Sequence, residues 1–446
     1  MKKSLLIIIT CLIILQGNGF AQKKVWSLEE CIKYAIDHSI QIKQQTIQTK
    51  VQKNSLDQAK LNLLPTINGQ ISHDYSFGRA LDQTSYEFYN QTVLSDYFYL
   101  GGRTDLFNGL QNLNTIQKNK YELLAGEQDL QRIRDNVALS VALAYLQILL
   151  NKELVTANEN QLNITLQQIE KTKKLVDAGS IARGNLLQIE AQAAQEELSL
   201  ITMKNQLETS YLNLTQLLEL ESPAGFEIVV PDIIVEQTSV VTGNIDEIYN
   251  LAAQSRPEIK SSELKLTASE YALKIAKGAR SPSISLSHTF GTRYSYIKDF
   301  PGIVPFEDQL KNNKNYGLGL SMSIPVLNGW QVNKNISNSK LTVENSQYTL
   351  EGTKKTLYKD IQQAYTDAVA ALKKYNASFK AVSSSEESFR YTEQKLSVGM
   401  ITPVDYNASK TQLLNAQSDM SQAKYEFIFK TKVLDFYKGL PLNLNN

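Results

Sequence analysis

Apolar residues recur at a seven-residue spacing in a stretch of sixty-nine residues, 108–176, that contains no proline. The second half of this stretch keeps the spacing without a gap, at Val141, Ile148, Val155, Leu162, Ile169 and Val176. A sustained heptad spacing predicts a helix that supercoils around neighbouring helices. At 1.5 Å per residue such a helix would extend roughly 100 Å, several times the usual length.

The same pattern occurs again 220 residues further along the chain. A second proline-free stretch, 328–396, carries apolar residues at Ile361, Ala368, Tyr375, Val382, Phe389 and Leu396. Both stretches end at a glycine-containing break, and each break is followed by a second heptad helix, predicted over 185–220 and 405–438. Repeated spacings at one offset indicate an internal duplication, with repeats over 22–220 and 244–438.

Each repeat begins with a shorter helix. Ser27-Leu-Glu-Glu30 forms a capping box that predicts a helix to about residue 64, and Asn244-Ile-Asp-Glu247 predicts the corresponding helix to about residue 279. A shorter helix and a second heptad helix, placed end to end, have about the length of one long helix. We therefore expect a helical wall in which stacked pairs alternate with continuous helices. Residues 221–243 would link the repeats, and residues 439–446 would form a tail.

Four segments alternate apolar and polar residues with a period of two: 66–77, 93–106, 283–294 and 316–326. The second is irregular, with Phe98 and Leu100 on one face and Arg103 and Asp105 on the other. Strands of about ten residues with one apolar face and one small or polar face fit a membrane β-barrel with a wet interior. Taken one by one, they fit a soluble sandwich equally well. The long loops 78–92 and 295–315 would face outward in a barrel.

A membrane barrel would need more strands than one chain supplies. Four strands cannot close, and an open sheet edge is not tolerated in lipid, so several chains would have to share one barrel. Residues 1–21, with Lys2 and Lys3 before an apolar run, are typical of a secretory signal peptide. We expect an exported chain without a transmembrane helix, because no later stretch approaches the necessary apolar length. Loss of Cys11 with the signal peptide would leave Cys31 and no intrachain disulfide.

Composition and motifs favour no enzyme chemistry. Lys and Arg number 46 and Asp and Glu 45, so no charge bias favours nucleic acid. His38, His73 and His288 lack metal-ligand spacing, and no nucleotide-binding or nucleophile motif occurs. We predict no catalytic residue, metal or cofactor. A barrel-anchored stalk that conducts nothing, with a structural or adhesive role, remains the alternative to a channel.

Local motifs carry a resemblance to a known family. Asp105-Leu-Phe-Asn-Gly109 and Ile324-Pro-Val-Leu-Asn-Gly329 resemble the strand-to-helix junctions of TolC-like outer-membrane efflux proteins, the outer membrane factors. The segments Ala178-Gly-Ser-Ile-Ala-Arg-Gly-Asn185 and Val398-Gly-Met-Ile-Thr-Pro-Val-Asp405 resemble the helix-tip hairpins of that family. The order and spacing of these motifs match over nearly the whole mature chain.

The resemblance implies an α+β membrane protein: a homotrimer in the outer membrane, whose chains each give four strands to a β-barrel and whose coiled-coil helical barrel extends into the periplasm. It implies passive export of cargo for an inner-membrane RND or ABC transporter, reached through a periplasmic adaptor (membrane fusion) protein. The adaptor would contact the tip hairpins at Gly179, Ser180, Ile181, Gly399, Met400 and Ile401.

Asp405 and Asn185 would line a periplasmic gate in this family, although Asp405 could equally cap the helix that it begins, where the helix dipole favours negative charge. The glycines of both hairpins are expected to supply backbone freedom. Four aromatic residues are candidates for a girdle at the membrane boundary: Tyr75, Phe77, Phe98 and Tyr294.

Overall fold

The computed structural model describes residues 25–81, 86–231, 241, 243–298 and 302–442. The expected signal peptide, residues 1–21, lies outside the described residues, as do parts of the predicted linker and tail. The chain divides into two compact units. The first unit comprises Met1–Thr46, Asp129–Ile259 and Thr353–Asn446, and the second comprises Ile47–Gln128 and Lys260–Gly352.

The helices occur in two sets of equal lengths. In the first set, α1 (Leu28–His38), α2 (Ile40–Leu61), α3 (Gln111–Asp177) and α4 (Arg183–Leu217) have 11, 22, 67 and 35 residues. The lengths are identical for α5 (Ile245–Ser255), α6 (Pro257–Gly278), α8 (Gln331–Ser397) and α9 (Pro403–Tyr437). The two long helices begin three residues later than predicted, and the helices that follow them begin two residues earlier.

The prediction of one uninterrupted helix at the start of each repeat is wrong, because both helices break once. Arg256 leaves the helical conformation (φ −68°, ψ 131°) since Pro257 follows it, and a proline excludes the residue before it from the α region. Ser39 breaks the first pair (φ −52°, ψ 127°) without a proline. There, a Glu219 side-chain oxygen accepts the hydrogen bond of the Ile40 N–H at 3.1 Å.

A four-stranded antiparallel sheet lies in the second unit, with strand order β2 (Thr66–Leu81), β3 (Phe88–Phe107), β5 (Ser283–Ile297) and β6 (Asn315–Ser323). β2 and β3 extend into the predicted loop 78–92, because residues 78–81 pair with residues 88–91. β3 pairs with β5 in continuous register from Val93 to Asp105, and a register shift follows between Asp105 and Phe107. The irregular alternation before Asp105 therefore comes from the residues themselves and not from a bulge. The predicted loop 295–315 contains a short helix, α7 (Phe306–Asn312).

The hydrophobic core of the first unit is centred on the middle of α3. Val141, Tyr145, Ile148 and Leu149 are at most 1% exposed there. The Tyr145 hydroxyl lies 2.6 Å from the Val229 carbonyl oxygen, beside the parallel pairing of β1 (Val25–Trp26) with β4 (Glu227–Ile228). The predicted linker is thus packed onto the core through β4.

Among the described residues, α3 is the one helix long and apolar enough to cross a membrane, over an 18-residue window of mean hydropathy 1.4. The sequence-based expectation was that no helix would reach this length of apolar residues. The apolar middle of α3 packs into the core of the first unit, and core packing requires the same composition.

Candidate functional site

Both predicted tip hairpins adopt the same helix-ending turn. At the end of α3, the Gly179 N–H donates to the Val176 carbonyl and the next N–H donates to the Leu175 carbonyl, both at 2.9 Å. At the end of α8, the Gly399 N–H donates to the Leu396 carbonyl at 3.0 Å, and the next N–H donates to the Lys395 carbonyl at 2.9 Å. These pairs of bonds define a Schellman motif, which satisfies the last carbonyls of a helix.

The glycine in each turn is needed for its backbone conformation. Gly179 and Gly399 have φ +71° and +73°, a region that L side chains rarely adopt. A Cβ atom at either position would meet no atom within 4 Å. The requirement is therefore local to the turn and does not come from packing.

The tips expose a different set of apolar side chains from the predicted one. Met400 is 76% exposed, as predicted, whereas Ile181 and Ile401 are half-buried. Val398 is 69% exposed and was not among the predicted contact residues. Val398 precedes the turn glycine and lies outside the heptad seam, and this position in the sequence could have identified it as an exposed apolar residue.

Asp405 caps α9, in which it is the third residue after the cap residue Thr402. With Thr402 it forms a capping box: the Thr402 hydroxyl and backbone N–H lie 2.7 and 3.2 Å from the Asp405 Oδ2. These hydrogen bonds lower the pKa of the Asp405 carboxyl below its ordinary value. Asn185 is at the equivalent position of α4, where the cap residue is Ala182 and no side-chain cap bond forms.

The capping bonds predict a pH-dependent protection of the tip. A folded-state pKa below the unfolded value means that this stabilisation is present above the unfolded pKa and is lost as pH falls through the folded pKa. We expect Asp405→Asn to speed amide hydrogen exchange in the first turn of α9 at pH 7. Exchange measured by mass spectrometry should show the difference vanish at a pH below the Asp405 pKa. Asn185→Asp is the matched control and should gain no comparable protection, because Ala182 has no hydroxyl; equal exchange in wild type and Asp405→Asn at pH 7 would contradict the capping role.

The strand register separates the residues of the sheet onto two faces. One face carries large apolar side chains that are strongly exposed, including Ile71 at 75%, Phe77 at 75% and Leu318 at 82%. All four girdle candidates, Tyr75, Phe77, Phe98 and Tyr294, lie on this face, within a few register pairs of each other. The opposite face carries mainly serine, threonine, asparagine, glutamine and glycine.

A hydrogen-bonded polar pair lies on the apolar face. His73 Nδ1 lies 2.5 Å from Asp96 Oδ1 on the neighbouring strand, directly opposite in the register. Within the described parts of the chain, no group of three or more His, Cys, Asp and Glu side chains is placed to hold a metal ion.

A buried polar network in the first unit was missed by the sequence reasoning. Lys410 and Glu196 are 3% and 7% exposed, and their Nζ and Oε1 atoms are 3.9 Å apart. Lys410 donates to the Thr165 hydroxyl at 2.5 Å, and the Thr165 hydroxyl also contacts the Glu196 carboxylate. The Gln161 and Gln192 amides donate to Glu196 Oε1 at 3.1 and 2.9 Å. These five residues, from α3, α4 and α9, are called the Lys410 network below.

The position of Lys410 in the heptad could have revealed this network. Lys410 lies between the seam residues Tyr406 and Leu413, and such a position faces the neighbouring helices. Burial lowers the pKa of Lys410, and the nearby Glu196 carboxylate opposes that shift. An open groove of about 680 Å³, lined by residues that include Lys410, Phe389 and Leu413, adjoins the network.

Comparisons with known proteins agree with this architecture. The profile of the outer membrane efflux protein family matches residues 31–219 and 248–429. The outer membrane protein TolC of Escherichia coli (strain K12) is 22% identical over 312 residues, which are 69% of this chain and 62% of TolC. The match therefore spans less than two thirds of that relative.

Solved structures show the same fold at low identity. The CmeC outer membrane channel of Campylobacter jejuni matches with a TM-score of 0.78 and 18% identity, over 94% of this chain and 87% of CmeC. The outer membrane protein VceC of Vibrio cholerae matches with a TM-score of 0.76 and 17% identity, over 92% and 96% of the two chains. The relatives are outer membrane proteins, and this chain is an outer membrane protein as well. The family profile covers both sets of helices and the sheet, and the chain belongs to the outer membrane efflux protein family.

Proposed function

We propose that this protein is the outer-membrane exit duct of a tripartite efflux or type I secretion system. Three copies of the chain form the duct and conduct cargo passively from the periplasm to the outside. A periplasmic adaptor protein connects the duct to an inner-membrane transporter of the RND or ABC class, which supplies the energy. The duct itself performs no chemical step.

The observation that carries this proposal is a sheet with two unpaired edges and two unlike faces. Among the described strands, β2 and β6 each have a neighbour on one side only. The backbone N–H and C=O groups on these outer edges would lack hydrogen-bond partners in lipid, which costs free energy, so an isolated sheet is unfavourable there. Pairing β2 of one copy with β6 of the next removes every edge. Three copies of four strands then close a barrel of twelve, with the apolar face toward lipid and the polar face toward the lumen.

The equal helix lengths support a helical barrel built from two repeats per chain. We assign the repeats to residues 22–220 and 244–438, with residues 221–243 as the link. The exposed side chains of Met400 and Val398 at the tips support adaptor contact there, because a solvated turn rarely keeps such groups uncovered.

Asp405 and Asn185 are proposed to line the periplasmic entrance. The capping contacts of Asp405 use its Oδ2 atom and its backbone N–H, so capping is compatible with a carboxylate that faces the entrance. With one carboxylate from each of three chains, the entrance would favour cations, and Asp405→Asn would weaken that preference.

Single-channel recording tests conduction. Purified full-length protein in planar bilayers should give discrete conductance steps, whereas a non-conducting stalk would give none from well-folded oligomers. Two neighbouring cysteine variants test which face of the sheet lines the lumen. Ser321→Cys places a thiol on the polar face of β6, and Leu320→Cys places one on the apolar face. A charged thiosulfonate reagent should lower the conductance of the first variant only, since Cys31 is buried. Equal effects on both variants would contradict the assignment of the lumen face.

Photocrosslinking in cells tests the partner. A photoreactive residue at position 400 should capture a periplasmic adaptor, and the same residue at position 348, an exposed tyrosine of α8 far along the helix from the turn, serves as the control. The class of transporter that copurifies with the adaptor would distinguish RND-dependent efflux from ABC-dependent export. An intact oligomer that captures no adaptor would argue against the exit-duct function.

A further inference from the structure

Two tyrosines of β3 lie flat on the polar face of the sheet. The rings of Tyr97 and Tyr99 have centroids 5.9 Å apart and planes within 18° of each other. Gly101 makes room for one of them, because a Cβ atom there would overlap the Tyr99 ring. At Gly291 of β5, a Cβ atom would lie 3.4 Å from the Tyr97 hydroxyl oxygen. The Tyr99 ring thus lies against Gly101, and the hydroxyl end of the Tyr97 ring reaches Gly291.

An arginine lies beside this aromatic pair. Arg293 is directly opposite Tyr97 in the register, and its side chain is exposed. The other arginine on the polar face, Arg103, is paired with Asp105 at 3.0 Å. Arg293 therefore brings a positive charge to the strand position opposite Tyr97, whereas the charge of Arg103 is matched by Asp105.

Few bulky groups share this face. Most of its remaining strand residues near the tyrosines are small or uncharged: Asn68, Gln70, Ser72, Ser95, Ser287, Thr289, Ser295, Gly317 and Gly319. The exception is Asp74, which pairs with Ser95 from β2, on the side of β3 away from Arg293. Tyr97 is 41% exposed, so its ring is accessible to a solute that passes along the wall. Two nearly parallel rings and an arginine at the paired position make the wall chemically distinct at this level.

We propose that Tyr97, Tyr99 and Arg293 form a cargo-contact site, and that it takes planar aromatic molecules bearing a carboxylate or a similar anionic group. The open ring faces stack on the aromatic part of the cargo, and the guanidinium pairs with its anion. This inference rests on the proposed function, because the polar face lines the lumen only if the sheet closes into a barrel.

Titration of a small aromatic anion tests the site. Full-length protein in lipid nanodiscs is titrated with 6-fluoro-2-naphthoate, and binding is measured from the broadening of its ¹⁹F resonance, with empty nanodiscs subtracted. Tyr97→Leu combined with Tyr99→Leu should weaken binding about tenfold, since stacking of one aromatic group on aromatic side chains contributes about 1–3 kcal/mol and about 1.4 kcal/mol corresponds to a tenfold change. Arg293→Gln should weaken naphthoate binding and leave a neutral fluoronaphthalene unaffected.

Two glycine variants test whether the position of the Tyr99 ring, rather than any change on the polar face, controls naphthoate binding. Gly101→Ala should displace the Tyr99 ring and weaken binding, whereas Gly78→Ala on β2 should not, because a Cβ atom there meets no atom within 4 Å. Fluoroacetate that binds as tightly as the naphthoate would overturn the proposal, and so would unchanged affinity in the Tyr97→Leu/Tyr99→Leu variant. Normal conductance in planar bilayers without naphthoate binding would refute this site alone. Absence of conductance would refute the duct, and this site with it.

Discussion

Replacing Lys410 with methionine is expected to destabilise the first unit by about 3–5 kcal/mol, because Glu196 would remain as a buried carboxylate without its cation. Glu196 is 7% exposed and lies 3.9 Å from the Lys410 ammonium. Its oxygens also accept bonds from Gln161 and Gln192, so the protein holds the charge in place instead of releasing it to water. Urea titration of full-length protein, followed by the loss of helical circular dichroism, measures the change.

A double variant shows whether the stability loss of Lys410→Met comes from the unpaired buried charge or from a general packing defect. Lys410→Met combined with Glu196→Met removes both charges, and replacing a buried ion pair by apolar residues of similar volume is often neutral or stabilising. The double variant should therefore recover most of the stability that Lys410→Met loses. If both variants lose the same stability, or if Lys410→Met alone has almost no effect, the Lys410 network is not the source of the stabilisation.

Gly109→Ala is expected to destabilise the second unit more than any other single glycine substitution at its strand-to-helix junctions. Gly109 has φ +66°, and a Cβ atom there would overlap the Gly278 carbonyl oxygen and lie 2.8 Å from the Ser281 Cβ. The left-handed backbone costs about 1–2 kcal/mol for an L side chain, and forcing apart a packed contact adds about 1–3 kcal/mol. The neighbour is main chain at the end of α6, which cannot swing away as a flexible side chain does.

The chain contains a matched control for this effect. Gly329 occupies the corresponding junction before α8 with φ +58°, and a Cβ atom there would meet nothing within 4 Å. Gly329→Ala should therefore show the backbone cost without the overlap. Denaturant unfolding of the two variants, side by side, measures the difference. Equal losses of stability would mean that the close approach of Gly109 to Gly278 contributes nothing.

Much of the helical architecture could be predicted from sequence because its signals are local. Seven-residue spacing, capping boxes and turn glycines act within a few residues, so they located the long helices and the breaks at Gly179 and Gly399 to within a few positions. Period-two alternation located the strands in the same way, and it assigned Phe98 and Arg103 to opposite faces before their partners were known.

The helix periods, the turns and the two faces of the strands follow from the sequence alone, since each depends on contacts between near neighbours. Other features depend on residues far apart in the chain and become visible only in the folded structure. The break at Ser39 relies on a bond between Ile40 and Glu219, and the burial of Lys410 relies on Thr165 and Glu196 of two other helices. The flat orientation of Tyr99 depends on the missing side chain of Gly101 and on the strand pairing around it. Contacts between distant residues leave no periodic pattern in the sequence, because they form only after the helices and strands have packed together.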